Sequence, residues 1–280
     1  MTPKPKNLKK LKKAAKLGDA TAQFELAEHL WFKTDSKSNQ IAAGLYRAAA
    51  EQGHLEAQYQ LASLFCSFPG EFISETESLE WFKKAAAQGH VNSMFELGCC
   101  YSHGMYMEPV MEEAEKWFQM AADHGHARAQ YELGLYYAKQ EKHEKAADWY
   151  KKAADQNNAD AQFELSLCHF KGQGVNLNND EGVKWMQKAG ALRNISAQFA
   201  LGLIFSDGTV VKQDNRRALN WWLKAAKRQH IGAIKKVEHA YKNGLGTKKN
   251  PAEAQKWQER LLFLQNPKTN LLDILKKWDF

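Results

Sequence analysis

Cysteine and histidine are the side chains of this chain most able to do chemistry, and their spacing argues against catalysis. The four cysteines are Cys66, Cys99, Cys100 and Cys168. None forms a CxxC pair, and adjacent Cys99 and Cys100 are awkward to bridge within a helix, so no disulfide framework is expected. Cys99 and Cys100 beside His103 resemble a soft-metal set, but no second CxxC or histidine pair closes it. His54, His90, His126 and His230 recur at one repeat position. Ligands of one metal must converge to about 2 Å, whereas these histidines lie a repeat apart, so they read as structural turn residues. No Ser-His-Asp grouping is readable, and there is no Gly-rich phosphate loop or HExxH motif. No enzyme activity, metal or cofactor is expected.

Charge is the next candidate. The net charge of +7 invites a nucleic-acid reading, but its distribution does not support one. Residues 1–18 carry +7 and residues 211–280 carry +10, while the 192 residues between them carry −10. A protein that tracked a phosphate backbone along its length would be basic throughout. With 44% hydrophobic and 25% charged residues the chain is neither disordered nor collagen-like, and its apolar stretches are too short for a transmembrane helix. The basic start lacks the apolar run of a signal peptide, so the expected location is cytoplasmic.

Any binding residues must be positioned by a repeat. Leu45, Trp81, Trp117, Trp149, Trp185, Trp221 and Trp257 follow one another in steps of 36, 36, 32, 36, 36 and 36 residues. A second register starts each unit at Gln23, Gln58, Met94, Gln130, Gln162, Gln198 and Ile234. The first register carries a small residue, the anchor, Leu, a small residue and an aromatic at −1, 0, +3, +4 and +7, and the second carries apolar residues at i, i+3, i+4 and i+7, so each unit holds two amphipathic helices. Ala129, Gln130, Leu133, Gly134 and Tyr137 mark the first helix of a unit, and Ala114, Trp117, Phe118 and Ala121 the second. Asn178, Asp214 and Asn250 are placed as N-caps, with Pro251 at the favoured first helical position. The 32-residue unit loses its four residues between the helices, where Gln140-Glu141-Lys142-His143 replaces a Gly-rich loop. One helical hairpin cannot bury its stripe alone, so the units must stack. Trp81, Trp117, Trp149, Trp185, Trp221 and Trp257 are expected to be structural, filling the wedges between hairpins whose alanines permit close approach.

The string Ala-x-Ala-Gln-x-x-Leu-Gly-x-x-Tyr-x-x-Gly, followed by Ala-x-x-Trp-aromatic-Lys-Lys-Ala-Ala, resembles the Sel-one-like repeat. It is clearest at Ala161-Gln162-Phe163-Glu164-Leu165, at Gly172-x-Gly174-Val175 and at Trp185-x-x-Lys188-Ala189. The first unit departs from it, with Leu30 for the aromatic and Leu45 for the tryptophan; the second has Phe68-Pro69-Gly70 in place of the Gly-x-Gly loop. The resemblance implies an all-α, right-handed α-solenoid of seven helix-turn-helix repeats with N- and C-terminal capping helices. The expected boundaries are a basic half-repeat cap at 1–18, repeats at 19–53, 54–89, 90–125, 126–157, 158–193, 194–229 and 230–265, and a capping or dimerising helix at 266–280. It also implies a non-catalytic adaptor that holds a partner protein in a groove lined by the first helices. Bacterial relatives often accompany secretion effectors, so a sharper expectation is an immunity or antitoxin-like protein.

Counted from the anchor of each first helix, positions +2, +5 and +9 point away from the packed stripe. Position +2 carries Glu25, Glu96, Glu132 and Glu164, either as soluble helix formers or as an acidic ladder for a basic partner. Position +5 carries Cys99, Leu135, Leu167 and Leu203, which either pack on the next unit or floor the groove. His103, Lys139, Lys171 and Asp207 at +9 would flank it. The aromatic series at +1, from Phe24 to Phe199, reads as interhelix packing. The competing class is a nucleic-acid or anionic-surface binder acting through Lys9, Lys10, Lys12, Lys13, Arg216, Arg217, Lys248 and Lys249.

Overall fold

Stripes of alanine and aromatic residues repeated every helical turn leave each segment with one face to bury. In the computed structural model, which describes residues 8–31, 35–104 and 108–265, these segments form fifteen α-helices, with no strand among the described residues. The chain falls into two compact units, Met1–Leu133 and Gly134–Phe280. The first contains α1 (Leu8–Lys16), α2 (Ala20–Trp31), α3 (Ser36–Glu51), α4 (Leu55–Ser67), α5 (Glu75–Ala87), α6 (Val91–His103) and α7 (Met111–Asp123), each packed on the next. The division falls within α8 (Ala127–Lys139). The second unit contains α9 (His143–Asp155), α10 (Ala159–Lys171), α11 (Asn179–Ala191), α12 (Ile195–Asp207), α13 (Asn215–Lys227), α14 (Ile231–Asn243) and α15 (Pro251–Gln265), again packed in sequence. Even-numbered helices from α2 to α14 are the first helices of the repeats, and odd-numbered ones from α3 to α15 the second. The architecture is an all-α solenoid.

The basic start is built into the first repeat. Ala15 of α1 is buried with Ala22 and Leu26, and Leu30 and Leu45 pack against them. The leucines that replace the aromatic and the tryptophan in this unit therefore receive α1. The capping helix expected at 266–280 lies outside the described residues.

The buried seam runs one residue beyond the recurrent tryptophan. Phe82, Phe118, Tyr150, Met186 and Trp222 are all buried. Trp81 and Trp185 are also buried, but Trp117, Trp149, Trp221 and Trp257 are only half-buried. An indole is large and carries a polar N–H, so it suits the margin of a seam. There its face takes the ammonium of the lysine three residues on, at 3.9 Å for Lys84 on Trp81, 3.7 Å for Lys152 on Trp149, and 3.8 Å for Lys188 on Trp185 and Lys224 on Trp221. The deeper residue meets a small one: a Cβ on Gly98 would collide with the Phe118 ring.

The anchor glutamines lock successive repeats. Gln23, Gln58, Gln130, Gln162 and Gln198 are buried, and each Nε2 donates to the carbonyl eight residues earlier, near the end of the preceding helix. Those distances run from 2.9 Å for Gln198 to 3.3 Å for Gln23. Carbonyls at helix ends lack intrahelical partners, so the amide supplies one of them. The expected N-caps Asn178, Asp214 and Asn250 each accept from the backbone N–H three residues on.

Candidate partner-binding site

The recurrent histidines are caps. Nδ1 of His54, His90, His126 and His230 accepts the N–H of Ala57, Ser93, Ala129 and Ala233, at 3.0 to 3.2 Å. Each ring also lies against the +1 aromatic of the preceding repeat, stacked at 4.7 Å between centroids for Phe24 and His54 and 4.6 Å for Phe95 and His126, and tilted at 4.6 Å for Tyr59 and His90 and 4.4 Å for Phe199 and His230. Burial, and then the Arg128 charge, hold His126 below the ordinary histidine value, consistent with a neutral ring that accepts. Among the described residues no three His, Cys, Asp or Glu side chains come together to hold a metal.

In the first unit, Glu25 is exposed on α2. Glu96 and Cys99 are half-buried on α6, His103 is exposed at its end, and Glu132 is half-buried on α8. Desolvation raises the Glu96 carboxyl above its ordinary value, partly offset by Arg128. The Arg128 guanidinium lies 4.7 Å from the centre of the Phe95 ring. Burial first, then Glu96 and Glu132, push the Cys99 thiol up to about 12. The structure thus places Glu96, Cys99, Glu132 and Arg128 within one electrostatic neighbourhood. It leaves Cys99 a neutral thiol at pH 7, poor as a nucleophile or metal ligand. His103 turns back on its own helix, donating from Nδ1 to the Cys99 carbonyl at 3.0 Å.

In the second unit, Leu135 and Lys139 are exposed on the end of α8. On α10, Glu164 and Leu167 are half-buried and Lys171 is exposed. Leu135 and Leu203 are 37% and 38% exposed, so position +5 offers apolar surface, while Leu167 packs partly against the core. Burial raises the Glu164 carboxyl; Lys171 lowers it and Asp160 raises it by smaller amounts. Glu164, Leu167 and Lys171 line one cavity of about 170 Å³ together with Ala146, Tyr150 and Cys168. Sequence reasoning missed Arg128, Tyr150 and Cys168. Only the 32-residue step between Trp117 and Trp149 marked this region as different.

The rival basic residues Lys9, Lys10, Lys12 and Lys13 are exposed on α1, and Arg216, Arg217, Lys248 and Lys249 are exposed in the second unit. No helix among the described residues is long and apolar enough to cross a membrane.

A model of the Sel1 repeat matches residues 20–54, 55–90, 91–126, 127–158, 159–194, 195–230 and 238–260. The chain belongs to the Sel1 repeat family. Sel1-repeat proteins are generally protein-interaction scaffolds. The protective antigen c5321 of uropathogenic Escherichia coli, which displays an SLR fold, is 27% identical with a TM-score of 0.85 over 94% of this chain. The present chain spans only 57% of that protein's length. A Sel1 repeat protein from Oxalobacter formigenes is 27% identical, with a TM-score of 0.72 over 86% of this chain and 96% of its own. The immunity protein Pa5087 from Pseudomonas aeruginosa is 21% identical over 76% of this chain and 82% of its own. Its TM-score of 0.45 is too low to carry a functional argument. No curated protein matches the chain in sequence.

Proposed function

We propose that this Sel1 repeat chain is a non-catalytic adaptor that binds a basic surface of another protein along the open side of its first helices. One observation carries the reading. Glu96 and Glu164 sit at the same repeat position, half-buried beside apolar residues, and neither makes a hydrogen bond or ion pair among the described residues. Desolvating a carboxylate without a close partner is unfavourable, so an arriving cation recovers part of that cost. Leu167, which lines a pocket with Glu164, and the exposed Leu135 of the same unit suit the apolar anchors of a protein better than a phosphate chain. An antitoxin-like role, masking a basic toxin domain, is the sharper form and rests on the same carboxylates.

Capture of partners on tagged protein at moderate salt, followed by mass spectrometry, tests it. A basic protein is expected on the wild type and is lost on Glu96→Lys plus Glu132→Lys, with helical content unchanged by circular dichroism. Capture of RNA or DNA, abolished by reversing Lys9, Lys10, Lys12 and Lys13, would contradict it.

A further inference from the structure

The connection between α8 and α9 spans residues 140–142, whereas that between α10 and α11 spans residues 172–178. The longer loop presses on the start of α9, where a Cβ on Gly174 would collide with the His143 carbonyl. With the shorter loop in the repeat before it, an open cavity of about 950 Å³ remains between residues 141–145 and the loop carrying Gly172 and Gly174. His143 also lines the 170 Å³ pocket on α10, so the two cavities share a wall.

The inner pocket has two chemically distinct sides. Ala146, Tyr150 and Leu167 supply apolar surface, and Glu164 supplies a carboxylate without a hydrogen-bond or ion-pair partner among the described residues. Lys171 also lines the pocket and lowers that carboxyl through its charge, but it makes no ion pair with Glu164 and its side chain is exposed to water. The Cys168 thiol, pushed up to about 11 by burial, adds no charge at neutral pH. At about 170 Å³ the pocket is smaller than the ~300–1,000 Å³ usual for small-molecule sites, and it has the scale of one long side chain. Arginine combines an apolar stem with a planar cationic head that can meet a carboxylate through two N–H groups.

We propose that this pocket receives an arginine side chain of the protein partner, with its stem against Ala146, Tyr150 and Leu167 and its guanidinium on Glu164. This rests on the adaptor reading above and specifies the chemistry of one anchor. The test titrates N-acetyl-arginine amide, and its neutral isostere N-acetyl-citrulline amide, into the full chain followed by NMR. Saturable shifts confined to α9 and α10 are expected for the arginine probe. Binding should be at least about tenfold weaker for citrulline and for the isosteric Glu164→Gln protein, and unchanged in Glu96→Gln. Equal responses to the two probes, or an arginine response that survives Glu164→Gln, would overturn the assignment. If a partner is captured and lost on Glu96→Lys plus Glu132→Lys, yet no arginine response occurs, the pocket falls and the adaptor reading stands. An intact arginine response with no protein captured upholds the guanidinium site and overturns the adaptor reading.

Discussion

The third and fifth repeats solve the same local problems with different residues. At the anchor, α6 carries Met94 and α10 carries Gln162, whose amide donates to the Ala154 carbonyl at 3.0 Å. At the N-cap, His90 stands where the fifth repeat has Asn158. In the left-handed turn before it, Gly89 stands where the fifth repeat has Asn157, with φ of 87° and 63°. Behind the first helix, Gly98 lies against Phe118, whereas Ser166 lies 3.7 Å from Met186 Sδ. The scaffold tolerates these exchanges because each keeps one requirement: a cap, a left-handed turn, or a small residue facing a large one. On the open side the repeats diverge. Glu96 is answered by Arg128 at long range, while Glu164 lines a pocket that shares His143 with the cavity beside the short α8–α9 loop.

Swapping the exchanged residues breaks or sharpens this contrast. Gly98→Ser, which imports the fifth repeat's residue without its methionine, should destabilise the protein by about 1–3 kcal/mol because the Phe118 ring has nowhere to move. Adding Phe118→Met should recover part of that loss in denaturant unfolding; no recovery would mean that the pair is not the packing unit. Gln162→Met should cost about 1 kcal/mol, the worth of one buried hydrogen bond. The loss is held down because Gln162 Oε1 is already buried without a partner among the described residues, so only the Nε2 bond is forfeited. A neutral result would show that the glutamine lock contributes nothing.

The smallest effect is a pH dependence. Glu96 and Glu164 both have carboxyl values raised above the ordinary 4.5. The folded state therefore binds more protons than the unfolded one between the ordinary and the raised value, and stability falls as pH rises through that window. Glu164→Gln should match the wild type below pH 4.5 and exceed it modestly at pH 7, as read by thermal midpoints. Glu96→Gln should change in the same sense, since each variant loses a desolvated charge and forfeits one attraction, to Arg128 or to Lys171. An advantage for the glutamine variants only at low pH would reverse the account.

Much of the scaffold was legible in the residues. The two registers located both helices of every repeat because a stripe period is a direct record of what a helix must bury. Asn178, Asp214 and Asn250 announced their caps through local side-chain chemistry. The depth of the seam was less legible. Trp117 and Trp149 are the most conspicuous apolar residues, yet they lie at the margin with Phe118 and Tyr150 beneath them, since size alone does not say which ring faces the neighbouring helix. The histidines could be read as turn residues, but their ring contacts with Phe24, Phe95 and Phe199 join positions about thirty residues apart. The pocket on α10 was illegible for the same reason. Tyr150, Glu164 and Cys168 meet only once two helices pack, and the four-residue shortening marks the place without its lining.

Hydrogen–deuterium exchange on the complex with its captured partner tests the central claim most directly. Protection is expected on the first helices, around Glu96 on α6 and Glu164 on α10, with α9 changing only around Ala146 and Tyr150, which line the pocket, and α11 exchanging as in the free protein. Protection of α11 around Lys188, with α6 and α10 unchanged, would contradict it.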